Sequence, residues 1–170
     1  MHTKDYDAAF PFVTPSTLYD RDGLLTEIRG QFRLDWNGTH GSGHWARVLH
    51  HGMKVGTARK ADLLVVELFA FLHDSQRHDE RGDWGHGARG SEYARALNGT
   101  FFDLKPKQID LLCKAIAKHS DGEVVTNVTI QSCWDADRLD LGRVGIEPSA
   151  EYLSQEAVQY IDFALEWSQK

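Results

Sequence analysis

The sequence predicts an all-α fold, a compact single-domain helical bundle, and three observations carry that prediction. Apolar residues recur at helical spacing in most segments, most clearly over Lys105 to Lys118, where Ile109, Leu112, Cys113 and Ile116 form one stripe. The stretch Leu63 to Leu72 is apolar apart from Glu67, mixes Ala, Leu and Phe, and contains neither Gly nor Pro. Its apolar residues fall on every side, which suits a central, buried helix better than a strand. β-Branched residues are concentrated only in Glu123 to Thr129, the one place where a short strand stays open. At 170 residues the chain is long enough for one sizeable core, burying roughly 70% of the surface its unfolded form exposes.

In order along the chain, residues 1–15 lack periodicity and are expected to form an extended N-terminal arm on a domain spanning 16–170. Ser16 or Thr17 is the expected cap of a helix over Leu18 to Phe32, loosened at Gly23, with Leu24, Leu25 and Ile28 on one face. Asn37 to Gly43 carries three glycines and reads as a loop opening into a helix from about His44 to Lys54, ended by Gly56. The central helix is expected over roughly 61–74. A polar, Gly-rich loop, Ser75 to Gly87, then precedes a helix over about 88–97, stopped by Asn98-Gly99. Phe101 and Phe102 read as loop anchors. Pro106 sits in the first turn of the amphipathic helix, a position that tolerates a missing N–H. Asp121-Gly122 turns the chain, Cys133 to Asp140 is expected to be helical, and Ser149 caps a closing helix to Trp167.

Composition narrows the function. The formal net charge of −6 provides no basic field for holding nucleic acid without sequence preference. Any positive charge for a phosphate must come from metal ions and local arginines. Cys113 and Cys133 are too few for a disulfide framework or a zinc knuckle and are expected to be buried thiols. No apolar run approaches eighteen residues, and Met1 to Asp7 is polar, so neither a signal peptide nor a membrane span is expected, and the setting is cytoplasmic.

Six side chains fit one metal site: His44, His73, Asp74, His86, His119 and Asp137. They fall at helix ends and in the loop between two helices, as in metal sites built between facing elements of a bundle. Imidazole with carboxylate suits a divalent transition metal (Mn, Fe, Co, Ni or Zn) without thiolate. Asp74 has two oxygens and is able to bridge two ions. Taken singly, each of these residues is more often a satisfied core or surface group; their joint occurrence is what matters. Arg77, one turn after His73, is the best source of a phosphate-binding guanidinium. Arg89 opens a helix nearby, whereas Arg138 points about 100° away from Asp137 on a helix and reads as structural. His50 and His51 are expected to be solvated or to sit behind the ligands, and His40 to belong to loop structure. His78 is a candidate for orienting Asp74, and Glu67 for lying on the same face as Asp74.

Three segments carry a resemblance. His44-Trp45-Ala46-Arg47-Val48, then Phe71-Leu72-His73-Asp74-Ser75-Gln76-Arg77, then Asp135-Ala136-Asp137-Arg138-Leu139-Asp140 occur in that order between Gly43 and about Gly145. Together they resemble the HD-domain superfamily of metal-dependent phosphohydrolases, named for its His-Asp pair. The resemblance implies a helical bundle with His44, His73, Asp74 and Asp137 as metal ligands. Asp137, rather than Asp135 or Asp140, is the carboxylate that precedes Arg-Leu. In branches with two metals, two further histidines complete the second position, and His86 and His119 fit that place. In one-metal branches such residues contact phosphate or the attacking water, so Arg77, His86 and His119 are the catalytic candidates. One or two ions are therefore expected. The implied activity is hydrolysis of a small-molecule phosphate ester or anhydride, with a nucleotide as the leading substrate. Two other readings stay open: a nucleotide-binding module without turnover, and a di-iron oxygenase.

Overall fold

A computed structural model describes residues 18–168. Among these residues every regular element is helical, and the only β pairing is an isolated bridge between Asn98 and Phe102. The strand left open at 123–129 does not form. The elements are α1 (Arg21–Gln31), α2 (Ser42–Arg59), α3 (Leu63–Leu72), α4 (His86–Leu97), α5 (Pro106–Lys118) and α6 (Val128–Leu139), then two 3-10 turns (Asp140–Val144 and Ala150–Tyr152), α7 (Gln155–Val158) and α8 (Ile161–Ser168). No helix among the described residues is long and apolar enough to cross a membrane.

α3 is the axis of the bundle, in contact with α2, α4, α5 and α6. Every residue from Val65 to Leu72 is buried, as an all-round apolar helix requires. Asp62 caps it, accepting from the Val65 N–H at 3.3 Å. Glu67, the one charge inside α3, faces away from the histidines and accepts from Tyr19 Oη at 2.6 Å and Arg21 Nε at 2.9 Å. Its expected place beside Asp74 is thus corrected: it is a buried, paired carboxylate tying α1 to α3.

Several boundaries differ from expectation for local reasons. The arm at 1–15 and the caps Ser16 and Thr17 lie outside the described residues. α1 starts at Arg21, where Asp20 is the cap and accepts from the Gly23 N–H at 2.9 Å, so Gly23 is a first-turn residue and no interruption. α2 runs through Gly52 and Gly56 and ends at Lys60, which turns left-handed with φ 57°. Gly52 is needed where α2 meets α3, since a Cβ there would stand 2.7 Å from Val66 Cγ1. α6 begins at Val128 because Asn127 accepts from the Thr129 and Ile130 N–H groups. The closing helix expected over 149–167 is broken, with Ser154 rather than Ser149 capping α7.

His50 and His51 are buried rather than solvated, packed edge-on against Trp167 with ring centroids at 4.8 and 5.5 Å. Burial pushes the His51 ring down to about 3, and its Nε2 has no hydrogen-bond partner among the described residues. The unfolded ring titrates near 6.5. The stability this neutral ring preserves is whole above the unfolded value and is lost as pH falls from there toward the folded one, because the unfolded chain takes up the proton first. The loss amounts to about 2 kcal/mol at pH 5. Urea midpoints between pH 7.5 and 4.5 should therefore fall more steeply for the native chain than for His51→Gln; parallel slopes would remove His51 as the cause.

Candidate metal centre

The six residues singled out in the sequence come together where the ends of α2, α3, α4, α5 and α6 converge. His73 and His119 are the C-caps of α3 and α5. His44 lies in the first turn of α2, and His86 opens α4 instead of ending a loop. All four histidines and Asp74 are buried, and Asp137 is partly buried.

The rings form two pairs. His44 Nε2 is 3.0 Å from His73 Nε2, and His86 Nε2 is 3.0 Å from His119 Nε2. On every ring the other nitrogen is already committed. His73 Nδ1 faces the Phe69 and Ala70 carbonyls at 3.1 and 3.2 Å, His119 Nδ1 faces the Ile116 carbonyl at 2.7 Å, and His86 Nδ1 faces that of Asp83. His44 Nδ1 lies 2.7 Å from Asp140 Oδ2. Carbonyl and carboxylate oxygens only accept, so the proton of each neutral ring sits on Nδ1 and each Nε2 carries a lone pair. Two lone pairs held 3.0 Å apart cannot bond to each other; the arrangement calls for a cation between them.

Asp74 stands between the pairs. Its Oδ2 is 3.6 Å from both His44 and His73 Nε2, while its Oδ1 is 3.4 Å from His86 and 3.5 Å from His119 Nε2. Asp137 Oδ1 belongs to the first side only, 3.4 Å from His44 and 3.7 Å from His73. Two groups with donor atoms close enough to share an ion result, His44-His73-Asp74 and Asp74-His86-His119. Nitrogen and oxygen donors without thiolate fit a divalent metal.

The charges of the carboxylates and of His73 agree with that fit, while His119 would have to give up a proton to a cation. Burial works against ionised Asp74, yet the facing His73 and His119 rings hold its carboxyl well below the usual range. Asp137 is held low in the same way, by the facing His44, His73 and His119 rings, which outweigh its burial. Burial pushes His73 down to about 3, keeping it a neutral donor. On His119 burial is outweighed by Asp74 and Asp137, so its pKa rises.

Close helix contact positions the second pair. A Cβ on Gly87 would lie 2.9 Å from both the Ile116 and Ala117 carbonyl oxygens, in the turn of α5 that carries His119. Gly87→Ala should therefore push α4 off α5 and part His86 from His119. Overpacking of this kind costs about 1–3 kcal/mol, read as a drop in melting temperature of about 2–12 °C for a chain of this size. Bound metal should fall as well. A variant with native melting temperature and metal content would contradict the close fit.

The arginines separate clearly. Arg77 Nη1 lies 3.4 Å from Asp74 Oδ1 and 3.3 Å from His86 Nε2, reaching the centre from the turn after α3 rather than from a continued helix. Arg138 donates to the Tyr152 and Glu123 carbonyls, both at 2.6 Å, and is structural. Arg89 donates to the Gln76 carbonyl and to Asp83, so it latches the loop after α3 and does not reach the centre. His78 is exposed and does not orient Asp74, because α3 stops at Leu72.

Sequence reasoning missed three residues. Asp140 backs His44, and Arg143 and His40 line the cavity of about 360 Å³ that opens onto Asp74, Asp137 and His119. Arg143 donates to the Thr39 and Asp140 carbonyls at 3.1 and 3.0 Å. Only the Asp-Arg-Leu-Asp spacing hinted at Asp140, and nothing local marked the other two.

No protein-family model matches the sequence, and no curated protein does. Among solved structures, the chain is similar to the crystal structure of a protein described as a predicted HD superfamily hydrolase, from an uncultured Thermotogales bacterium. The two are 26% identical, the match covers 88% of this chain and 89% of that one, and the TM-score is 0.63. A shared helical fold over nearly the whole of both chains, with His44, His73-Asp74 and Asp137 brought together inside it, places this protein in the HD-domain superfamily.

Proposed function

We propose that the protein is a metal-dependent phosphohydrolase acting on a small phosphate ester or anhydride of nucleotide size. The observation that carries this reading is Asp74, which lines the cavity and whose two oxygens face two histidine pairs with unshared lone pairs. When bound there, divalent ions would supply an acidified water and neutralise charge on phosphoryl oxygens. The protein's own groups supply the rest. His44, His73, Asp74 and Asp137 would hold one ion, and His86, His119 and Asp74 a second. Arg77 gives a planar guanidinium beside the second pair, suited to phosphoryl oxygens. Arg143, which also lines the cavity, offers positive charge, and Leu141, Val144 and Tyr152 supply apolar wall for the rest of the substrate. A cavity of about 360 Å³ suits a mononucleotide or a molecule of similar bulk.

Phosphate release from a panel of nucleotides and simple phosphate esters, with Mn²⁺ or Co²⁺ added to metal-depleted protein, tests the proposal. Metal-dependent turnover of at least one class is expected. Tight nucleotide binding without turnover would make the protein a binding module. Bound iron with oxygen uptake and no phosphate release would make it an oxygenase.

A further inference from the structure

We infer that Asp140 is a positioning residue that makes the two metal positions unequal: His44 and His73 take the first and tighter ion, and His86 and His119 take an exchangeable one. This rests on the two-position reading above.

Three of the four rings donate Nδ1–H to backbone carbonyls, which are neutral. His44 alone donates to a carboxylate, at 2.7 Å. Asp140 is fully buried and is itself fixed, accepting from Arg47 Nε at 2.6 Å and Arg47 Nη2 at 3.1 Å. A carboxylate behind an imidazole raises the electron density at the far nitrogen and locks the ring's orientation. The other differences have the same sign. The first position gathers carboxylate oxygens from both Asp74 and Asp137, the second from Asp74 alone. The second also has the Arg77 guanidinium 3.3 Å from His86 Nε2, a like charge toward any cation there. On the second side the Ser120 hydroxyl, 3.3 Å from His86 Nε2, adds a neutral oxygen but no charge.

The competing account makes Asp140 a brace for Arg47 and the 3-10 turn, with no influence on metal. Arg47 separates the two accounts, because it shares the brace and touches no ligand atom.

The test is titration of metal-depleted full-length protein with Co²⁺, followed by visible absorption and by calorimetry. Two unequal steps are expected for the native chain. Asp140→Asn keeps a side-chain oxygen for the His44 N–H and loses the charge. It should weaken the first step by about 10- to 100-fold and leave the second in place. Arg47→Met should lower the melting temperature yet leave the first step within about threefold, since the carboxylate behind His44 remains. Equal weakening of both steps by Asp140→Asn, or a loss in Arg47→Met as large as in Asp140→Asn, would overturn the inference. Two equal native steps would overturn it while sparing the two-position site; a single native step would remove the two-position site as well. Imidazole ¹⁵N spectra of the native chain give a reading that needs no variant. The first equivalent of Zn²⁺ should shift His44 and His73, and earlier movement of His86 and His119 contradicts the inference.

Discussion

Asp74→Ala is expected to strip the centre of metal and to lower turnover by about a thousand-fold or more, equivalent to about 4 kcal/mol of transition-state stabilisation. Five groups converge on this carboxylate: four imidazole nitrogens at 3.4–3.6 Å and the Arg77 guanidinium at 3.4 Å. Without it, the second pair keeps no carboxylate among the described residues, only the Ser120 hydroxyl 3.3 Å from His86 Nε2, and the first keeps Asp137. Arg77 is then left facing ring nitrogens with no anion between them, so even cations that still enter meet a more positive site. Asp74→Asn is the sharper form of the experiment, since it preserves volume while removing the charge that the surrounding rings hold in the carboxylate form. Elemental analysis of folded, purified variants measures the outcome, and a full metal complement in either would sink the assignment.

Arg77→Ala should leave the metals in place and cost about 10- to 100-fold in kcat/KM, the roughly 1.5–3 kcal/mol of a hydrogen bond to a charged group. The guanidinium cannot ligate, because it never gives up its proton. Its Nη1 lies at the edge of the centre, and its Nε reaches the Asp79 carbonyl at 3.4 Å, an anchor that aims the head group inward. Arg77→Lys should recover only part of the loss, since an ammonium cannot make the two-point contact. If Arg77 instead serves only the surface loop, its removal costs under about 1 kcal/mol of stability and leaves turnover untouched. Steady-state kinetics with metal content checked first distinguishes the two outcomes.

What could be read in the sequence follows from how local each signal is. α3 was legible because burial on all sides leaves an unbroken apolar run, and α5 because its stripe is regular. The start of α6 was not, since the β-branched residues around Thr129 suggest a strand. Tertiary contact settles the matter, with Thr129 Oγ1 accepting from the Asp62 N–H at 3.0 Å. The C-terminal break likewise depends on distant partners. Ser154 is drawn to Asp135, and Leu153, Ala157 and Ala164 bury themselves with Val55 and Leu139. The same holds within Asp135-Ala136-Asp137-Arg138-Leu139-Asp140. Its three carboxylates look alike in sequence, yet one braces α7, one faces the first histidine pair and one backs His44. Ninety-six positions separate Asp140 from His44, beyond the reach of any local pattern.

Hydrogen exchange would report on an unexpected property of this centre. His73 and His119 take their ring contacts from carbonyls in the last turns of α3 and α5, where a helix end leaves several carbonyls short of amide partners. Fraying of either turn must swing its ring away, and an ion held by that ring would resist the fraying. The amide of His73, bonded to the Phe69 carbonyl at 3.0 Å, should consequently exchange with solvent more slowly as metal is added. How fast those two helix ends open then sets an upper limit on how fast metal can leave through them.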